Sequence, residues 1–386
     1  MAKFIPSNSQ QHDPLTHGPG RGGTLWRYFA LLGLLYVFLV AIKLLEEGIS
    51  GFGEDFSAGL LEGVSNPFAG LSAGILFTVL VQSSSVTTST IVALVGAGTL
   101  TVSSAVPMVM GANIGTTITA SLVALGHLRR GAEFRRAFAA ATMHDFFNIL
   151  AVAVMLPLEL STQFLSRTAH SLTQSMQFGS GGDFKSPIKA VVKSGAHTIQ
   201  EFLGETLHLS GGWVSGISLA LGLGLIFASL MLITQTMRIV IAHRAERALN
   251  RVLQRSMVFS IALGAAVTMA VQSSSITTSL MVPMCGSGIL TLESAFPVLL
   301  GANIGTTITA FLASLATDVN GLEIALVHVM FNLVGVVAVA PFVRIRRIPL
   351  MLAENLAIRA THNKVWVLIF VGMVFVVIPL LGILIF

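Results

Sequence analysis

Two stretches of this sequence gather hydroxyl and amide side chains inside otherwise apolar runs. Gln82, Ser83, Ser84 and Ser85 are followed by Thr87, Thr88 and Ser89. The same order returns in Gln272, Ser273, Ser274 and Ser275, followed by Thr277, Thr278 and Ser279. Such groups donate hydrogen bonds to an anion and offer oxygens to a hard cation. Two further segments, Gly111 to Thr117 and Gly301 to Thr307, both read GANIGTT. Glycines four residues apart permit non-helical backbone, and Asn113, Thr116, Asn303 and Thr306 add side-chain oxygens. A helix interrupted there would expose N–H groups to an anion and C=O groups to a cation. Small residues at this spacing also suit close helix packing. The duplication favours a site, and packing and binding can coexist.

Asp145 follows His144 near the start of an apolar run. A carboxylate at membrane depth binds a cation or carries a proton, or else pairs with a nearby base, here Arg135 or Arg136. Its counterpart is Val329, so the two halves are not equivalent cation sites. His144 and His328 read as hydrogen-bonding braces, since no cysteine or further carboxylate completes a transition-metal set. Gly70 to Gly74 fits the G-x-S-x-G nucleophile elbow but lacks the strand-turn-helix context that motif needs, so small-residue packing is expected. No Walker A sequence or cofactor motif occurs. The lone Cys285 leaves no intramolecular disulfide and is expected to pack in a hairpin arm.

The elements that must position these residues follow from composition. Only 10% of 386 residues are charged and 54% are hydrophobic. Soluble domains carry roughly 25% charged residues, so most of this chain has lipid as its solvent. The formal charge of +5 suggests a nucleic-acid partner only until the bases are located. They cluster between apolar runs, as the positive-inside bias requires.

The sequence repeats itself. Val81 to Ala120 and Val271 to Ala310 match without a gap at an offset of 190 residues, and their last ten residues are identical. Downstream, His144 to Asn148 is echoed by His328 to Asn332 at an offset of 184. The first half gives an apolar helix at 25–47, short pieces at 67–81 and 86–100 around QSSS, a run at 104–126 broken at GANIG, and a helix at 136–158. The second gives 213–237, then 257–271 and 276–290, then 294–317, then 322–343, with a last helix at 365–386. Pieces of about 15 residues are too short to span a bilayer, so each pair is expected to form a re-entrant hairpin with QSSS at its tip.

Charge sets the orientation. Arg129, Arg130, Arg135 and Arg136, then Arg238 to Arg255, then Arg344, Arg346 and Arg347 mark cytoplasmic loops, while Glu46 to Glu62 holds four glutamates and Asp55 without a base. Threading these constraints puts the two hairpins on opposite sides, so the halves are inverted. The expected domains are a disordered tail (1–24), a first transmembrane repeat (25–158), an external linker (159–211) with an amphipathic helix near Pro187 to Leu203, a second inverted repeat (212–343), and a cytoplasmic basic segment with a final helix (344–386). With no cleavable signal before the first run, that run is expected to stay as a helix, and the charge pattern puts the N-terminus in the cytoplasm. The fold class is an all-α polytopic membrane protein of two inverted repeats, each with a re-entrant hairpin and a broken helix. That is the build of secondary transporters.

Neither hairpin nor GANIG segment contains Lys or Arg. A substrate dianion there would need bound cations for countercharge, since an uncompensated one at the midplane is very costly.

The paired QSSS and GANIGTT motifs, RRAFAAATMHDFFN (Arg135 to Asn148), and IALVHVMFN followed by RIPL resemble the type II sodium/phosphate cotransporters. The resemblance covers about Leu25 to Glu354. It implies Na⁺-driven uptake of HPO₄²⁻ across the cell membrane, with no organic cofactor. Phosphate falls to Ser83, Ser84, Ser85, Ser273, Ser274 and Ser275. Na⁺ falls to Gln82, Asn113, Thr116, Asp145, Gln272, Asn303 and Thr306. An Asp at the position of Asp145 marks the family's electrogenic members, and the moving-hairpin architecture resembles that of dimeric carriers, so a homodimer is among the expected assemblies. The short linker without a glycosylation sequon is similar to that of bacterial members. The rivals are a sodium-coupled carrier of another oxyanion or a dicarboxylate, an ion channel, and an intramembrane serine hydrolase using His144 and Asp145.

Overall fold

The computed structural model describes residues 21–179, 187–250 and 256–386. Most of the tail expected at 1–24, Gly181 and Gly182 of the linker, and Arg251 and Arg255 lie outside them. Among the described residues there is helix and no strand.

The first half comprises α1 (Arg21–Ser50), α2 (Glu54–Gly63), the pair α3 (Pro67–Val81) and α4 (Ser84–Gly96), then α5 (Val102–Gly115), α6 (Ile118–Leu125) and α7 (Gly131–Thr162). Two helices, α8 (Phe164–Gly179) and α9 (Pro187–Glu201), lead to the second half. There α10 (Gly211–Asn250) precedes the pair α11 (Met257–Val271) and α12 (Ser274–Gly286), followed by α13 (Leu292–Ser314) and α14 (Val319–Val339). The chain closes with α15 (Val343–His362), α16 (Val365–Gly372) and α17 (Ile378–Ile385). Among the described residues, seven segments are long and apolar enough to cross a membrane: Trp26–Ser50, Val102–Leu125, Gly131–Thr162, Gly211–Val240, Leu292–Ser314, Val319–Val339 and Val365–Ile385. The chain is therefore a multi-pass membrane protein by length and composition. The four hairpin arms, at 13 to 15 residues, fall short of a span.

Local chemistry sets the element ends. Asn66 caps α3, its side chain accepting from the Phe68 N–H at 2.8 Å, with Pro67 in the first helical position. Thr101 and Thr291 cap α5 and α13 in the same way, at 3.1 and 3.3 Å. The second arms end at glycines with left-handed backbone, Gly98 at φ 72° and Gly288 at φ 81°, where a side chain would be strained. In the linker, buried Glu159 accepts from the Leu165 and Ser166 N–H groups at 2.7 and 3.2 Å and so caps the start of α8. The helix expected near Pro187 to Leu203 is α9, which packs on α1; α8 was not anticipated and packs on α14. The basic segment after the second half is itself a helix, α15, lying on α7.

The halves interlock in matched pairs. Each first arm packs along the GANIG helix of its own half, α3 on α5 and α11 on α13. Each second arm packs against the other half, α4 on α13 and α14, α12 on α6 and α7. The closing helices cross over as well, α7 meeting α13 and α14 meeting α5.

The expectation of a helix broken at GANIG requires correction. α13 runs unbroken through Gly301 to Thr307, and in the first half the interruption falls one step later, at Thr116 and Thr117 between α5 and α6. The glycines serve close approach instead. A Cβ on Gly111 would lie 2.0 Å from the Leu71 carbonyl oxygen, and one on Gly301 would lie 2.0 Å from that of Ile261. The reciprocal positions are Gly74 against Met108 and Gly264 against Val298, each at 2.1 Å from a carbonyl oxygen. Backbones this close exclude any side chain at the crossing.

Gly301→Ala is therefore expected to cost about 1–3 kcal/mol through overpacking against backbone. Gly224, with nothing within 4 Å of its built Cβ, should accept Ala without loss. Thermal denaturation of the detergent-solubilised variants checks this, and equal melting for both would reject the close-packing role.

Candidate functional site

The two QSSS tips meet. Gln82 and Gln272 each end a first arm in left-handed backbone, at φ 57° and 56°, a conformation uncommon outside glycine. Gln82 repays part of that strain, its Nε2 donating to the Val79 carbonyl at 2.6 Å while its Oε1 accepts from the Thr119 hydroxyl at 3.3 Å. Ser83 and Ser273 then take extended backbone, φ −153° and −152°, and open α4 and α12. The arms are pinned by twin hydroxyl pairs, Thr78 with Thr87 and Thr268 with Thr277, both at 2.8 Å. Across the halves, Ser85 Oγ donates to the Gln272 carbonyl at 3.3 Å and accepts from Thr309 Oγ1 at 3.4 Å.

Gln82, Ser83, Ser85, Gln272 and Ser273 line one cavity of about 250 Å³, whose far wall is α10 with Phe227, Met231, Thr234 and Gln235. Among the described residues no charged side chain lines it. The first-turn N–H groups of α4 and α12, free of helical partners, begin at this cavity. Ser84 and Ser274 are buried and, with Ser275, do not line it. The Gln272 Oε1 is buried and has no partner.

Asp145 is fully buried on α7. Its Oδ2 accepts from Ser121 Oγ at 3.4 Å, the Thr117 hydroxyl also faces the carboxyl, and Oδ1 has no partner. Among the described residues no ion pair reaches it; Arg136 instead donates from Nε to the Gly286 carbonyl at 2.9 Å. A carboxylate among hydroxyl oxygens and without a base suits a hard monovalent cation. Ser121 was missed in the sequence and Thr117 was not singled out there, although Thr117 stands at the N-cap of α6 and Ser121 lies four residues further along it. Thr116 bonds back to the Ala112 carbonyl at 3.1 Å, and Thr306 Oγ1 is buried without a partner.

Asn113 and Asn303 sit in a further polar layer. Asn303 Oδ1 lies 2.6 Å from His144 Nε2, and its Nδ2 donates to Asn148 Oδ1 at 2.7 Å. Asn148 Nδ2 donates in turn to the Asn113 carbonyl at 2.7 Å. His144 is thus the expected brace. The hydrolase constellation is not assembled, because His144 contacts Asn303 and Asp145 contacts Ser121, neither a QSSS serine. Ser72 of the elbow-like pattern is buried against Gly382 of α17, as packing predicts.

The fold and site thus define a polytopic helical membrane protein with an uncharged cavity where its two halves meet, its walls largely apolar (Val81, Val86, Phe227, Leu230 and Met231) and its polar groups concentrated at the QSSS tips and at Thr234 and Gln235. The Na⁺/Pi-cotransporter family model matches residues 37–179 and 225–381, one segment in each half, and the chain belongs to that family. Its members are transporters rather than enzymes. The chain is similar to human sodium-dependent phosphate transport protein 2B, at 31% identity over 92% of this chain and 64% of that protein. It is also similar to protein 2A of Ovis aries, at 31% over 93% and 67%, and to protein 2A of Rattus norvegicus, at 31% over 98% and 71%. The chain thus spans about two thirds of the length of these relatives. No solved structure matches it significantly.

If the tips share one cavity, cysteines at Ser83 and Ser273 in a Cys285→Ser background should be joined by a short bifunctional maleimide. A protease site placed within 180–186 then reads the result, linked halves remaining together after cleavage. Halves that always separate would remove the shared cavity.

Proposed function

We propose that this protein imports inorganic phosphate, as HPO₄²⁻, by symport with Na⁺ through alternating access. The observation that carries the reading is the charge-free cavity between the two QSSS tips, in a chain whose family is described as Na⁺/Pi cotransporters. Hydroxyls of Ser83 and Ser273, together with the N-termini of α4 and α12, donate to the anion, and Ser85 joins them when its hydroxyl turns away from the Gln272 carbonyl. Ser84, Ser274 and Ser275 stand in the first turns behind them. No fixed base neutralises it, so cations must enter with it.

Asp145 with Thr117 and Ser121 holds one Na⁺. The unpartnered oxygens of Gln272 and Thr306, with Gln82, Thr116, Asn113 and Asn303 nearby in the polar interior, serve the others. The Na⁺ held at Asp145 is the third to move with the dianion, so one net positive charge crosses per cycle and transport is electrogenic. The matched packing of the halves supports inverted repeats. The arginine clusters support a cytoplasmic N-terminus in the cell membrane and an external 159–211 connection.

Proteoliposomes carrying the protein should accumulate radiolabelled phosphate when an inward Na⁺ gradient is imposed, and arsenate but not succinate should compete. Equal uptake without the gradient would reject the coupling. Asp145→Gly should keep phosphate uptake but lower the charge moved per phosphate. An unchanged current-to-flux ratio in that variant would remove the carboxylate from the cation site.

A further inference from the structure

Each half contributes the same three polar side chains to the buried interior. The closing helix supplies a histidine and, four residues later, an asparagine: His144 and Asn148 on α7, His328 and Asn332 on α14. The GANIG helix supplies one more, Asn113 on α5 and Asn303 on α13. All six are at most 3% exposed. The helices that carry them are paired in the same exchanged manner, α7 on α13 and α14 on α5.

The hydrogen bonding is not the same. In the first set the side chains close across the halves. Asn303 gives its Nδ2 to Asn148 Oδ1 at 2.7 Å, so its Oδ1 must accept, and His144 donates to it from Nε2 at 2.6 Å. In the second set every side chain that has a partner finds it on its own helix. Asn113 Nδ2 donates to the Val109 carbonyl at 2.9 Å, and Asn332 Nδ2 to the His328 carbonyl at 3.1 Å. Both ring nitrogens of His328 and the Asn332 Oδ1 are buried without a partner. Residue type within the sets does not account for this difference, since they are identical in type; the relative positions of the helices that carry them do, with Asp145 beside His144 where Val329 stands beside His328.

Buried polar groups left unpaired at 1–2% exposure are costly, so an arrangement that orphans them persists only if something equivalent is gained elsewhere. The gain is the closed triad of the other half. Exchanging the two sets would leave the count of satisfied groups unchanged, which is the requirement for two states of similar free energy.

We propose that the triads His144–Asn303–Asn148 and His328–Asn113–Asn332 close in alternation, one in each facing state of the carrier. His144 and His328 are then positioning residues that set the balance between states without touching the substrate. This rests on the alternating-access reading above.

The test uses a single cysteine at Gln235, on the cavity wall, in a Cys285→Ser background. A membrane-impermeant maleimide is applied from either side of oriented proteoliposomes, without phosphate or Na⁺, and the ratio of outside to inside labelling rates is measured. His144→Leu and His328→Leu should move that ratio in opposite directions, each by about tenfold, and the double variant should return towards the parent value. Asn148→Ala against Asn332→Ala gives the same comparison should a histidine variant fail to fold. Two variants that shift the ratio the same way, or not at all, overturn the triads while leaving alternation intact. A parent labelled from one side under every condition overturns alternation and this proposal with it. Neither outcome depends on phosphate being the substrate, which the uptake assay decides separately.

Discussion

A hydroxyl or amide enclosed between membrane helices has no water to fall back on, so each must find a protein partner or be held for a ligand. Most of the polar interior here obeys the first half of that rule. Hydroxyls bond back to carbonyls one turn earlier, as Thr116 does to Ala112 and Thr142 to Phe138. Hairpin arms are clasped by the twin threonine pairs, and the capping serine of α4 accepts from the Val86 N–H at 3.3 Å. What remains unpaired is a short set that includes Asp145 Oδ1, Gln272 Oε1 and Thr306 Oγ1. These oxygens lie on α7, at the end of α11 and on α13, helices that converge by the packing of α7 and α11 on α13, and oxygen is the ligand that Na⁺ takes.

That convergence depends on backbone spacing. The carbonyls of Leu71 and Ile261 lie where the Cβ of any residue but glycine at 111 or 301 would be. The tight pairs α3 with α5 and α11 with α13 therefore behave as rigid units, and each presents its QSSS tip at a fixed height on its partner. The second arms lean on the opposite half, so the cavity at the tips is walled by both halves and by α10. A movement of one half against the other must change the cavity, because no single half encloses it.

Much of this was legible in the residues. The arm lengths, the turn at each glutamine and the limits of the long helices follow from apolar runs interrupted by polar groups, a signal strong enough to place α3 and α11 at 67–81 and 257–271. GANIG was misread because glycines four apart announce both flexible backbone and close crossing, and only a partner helix decides between them. Thr117, the last residue of GANIGTT, had nothing in the sequence to set it apart from Thr116, and Ser121 carried no motif of its own. The same holds for Thr234 and Gln235, two polar residues on a long apolar helix whose facing depends on rotation about its axis. The helix α8 was hidden in a polar connection because its starting cap comes from Glu159, which lies on the preceding helix.

The lack of a base at the cavity is the feature with the widest reach. A guanidinium clamp would hold a phosphate dianion bidentately and strongly, but its charge would remain after release and would oppose reorientation of the empty site. Hydroxyls and helix N-termini are weaker donors and carry no net charge. They bind a dianion well only when cations lie close by in a medium of low dielectric, where each charge pair counts for far more than in water. Affinity for the anion then becomes conditional on the cation, and by linkage the reverse holds to the same degree. Coupling in such a site needs no separate device, because the anion is not stable in the interior without the cations.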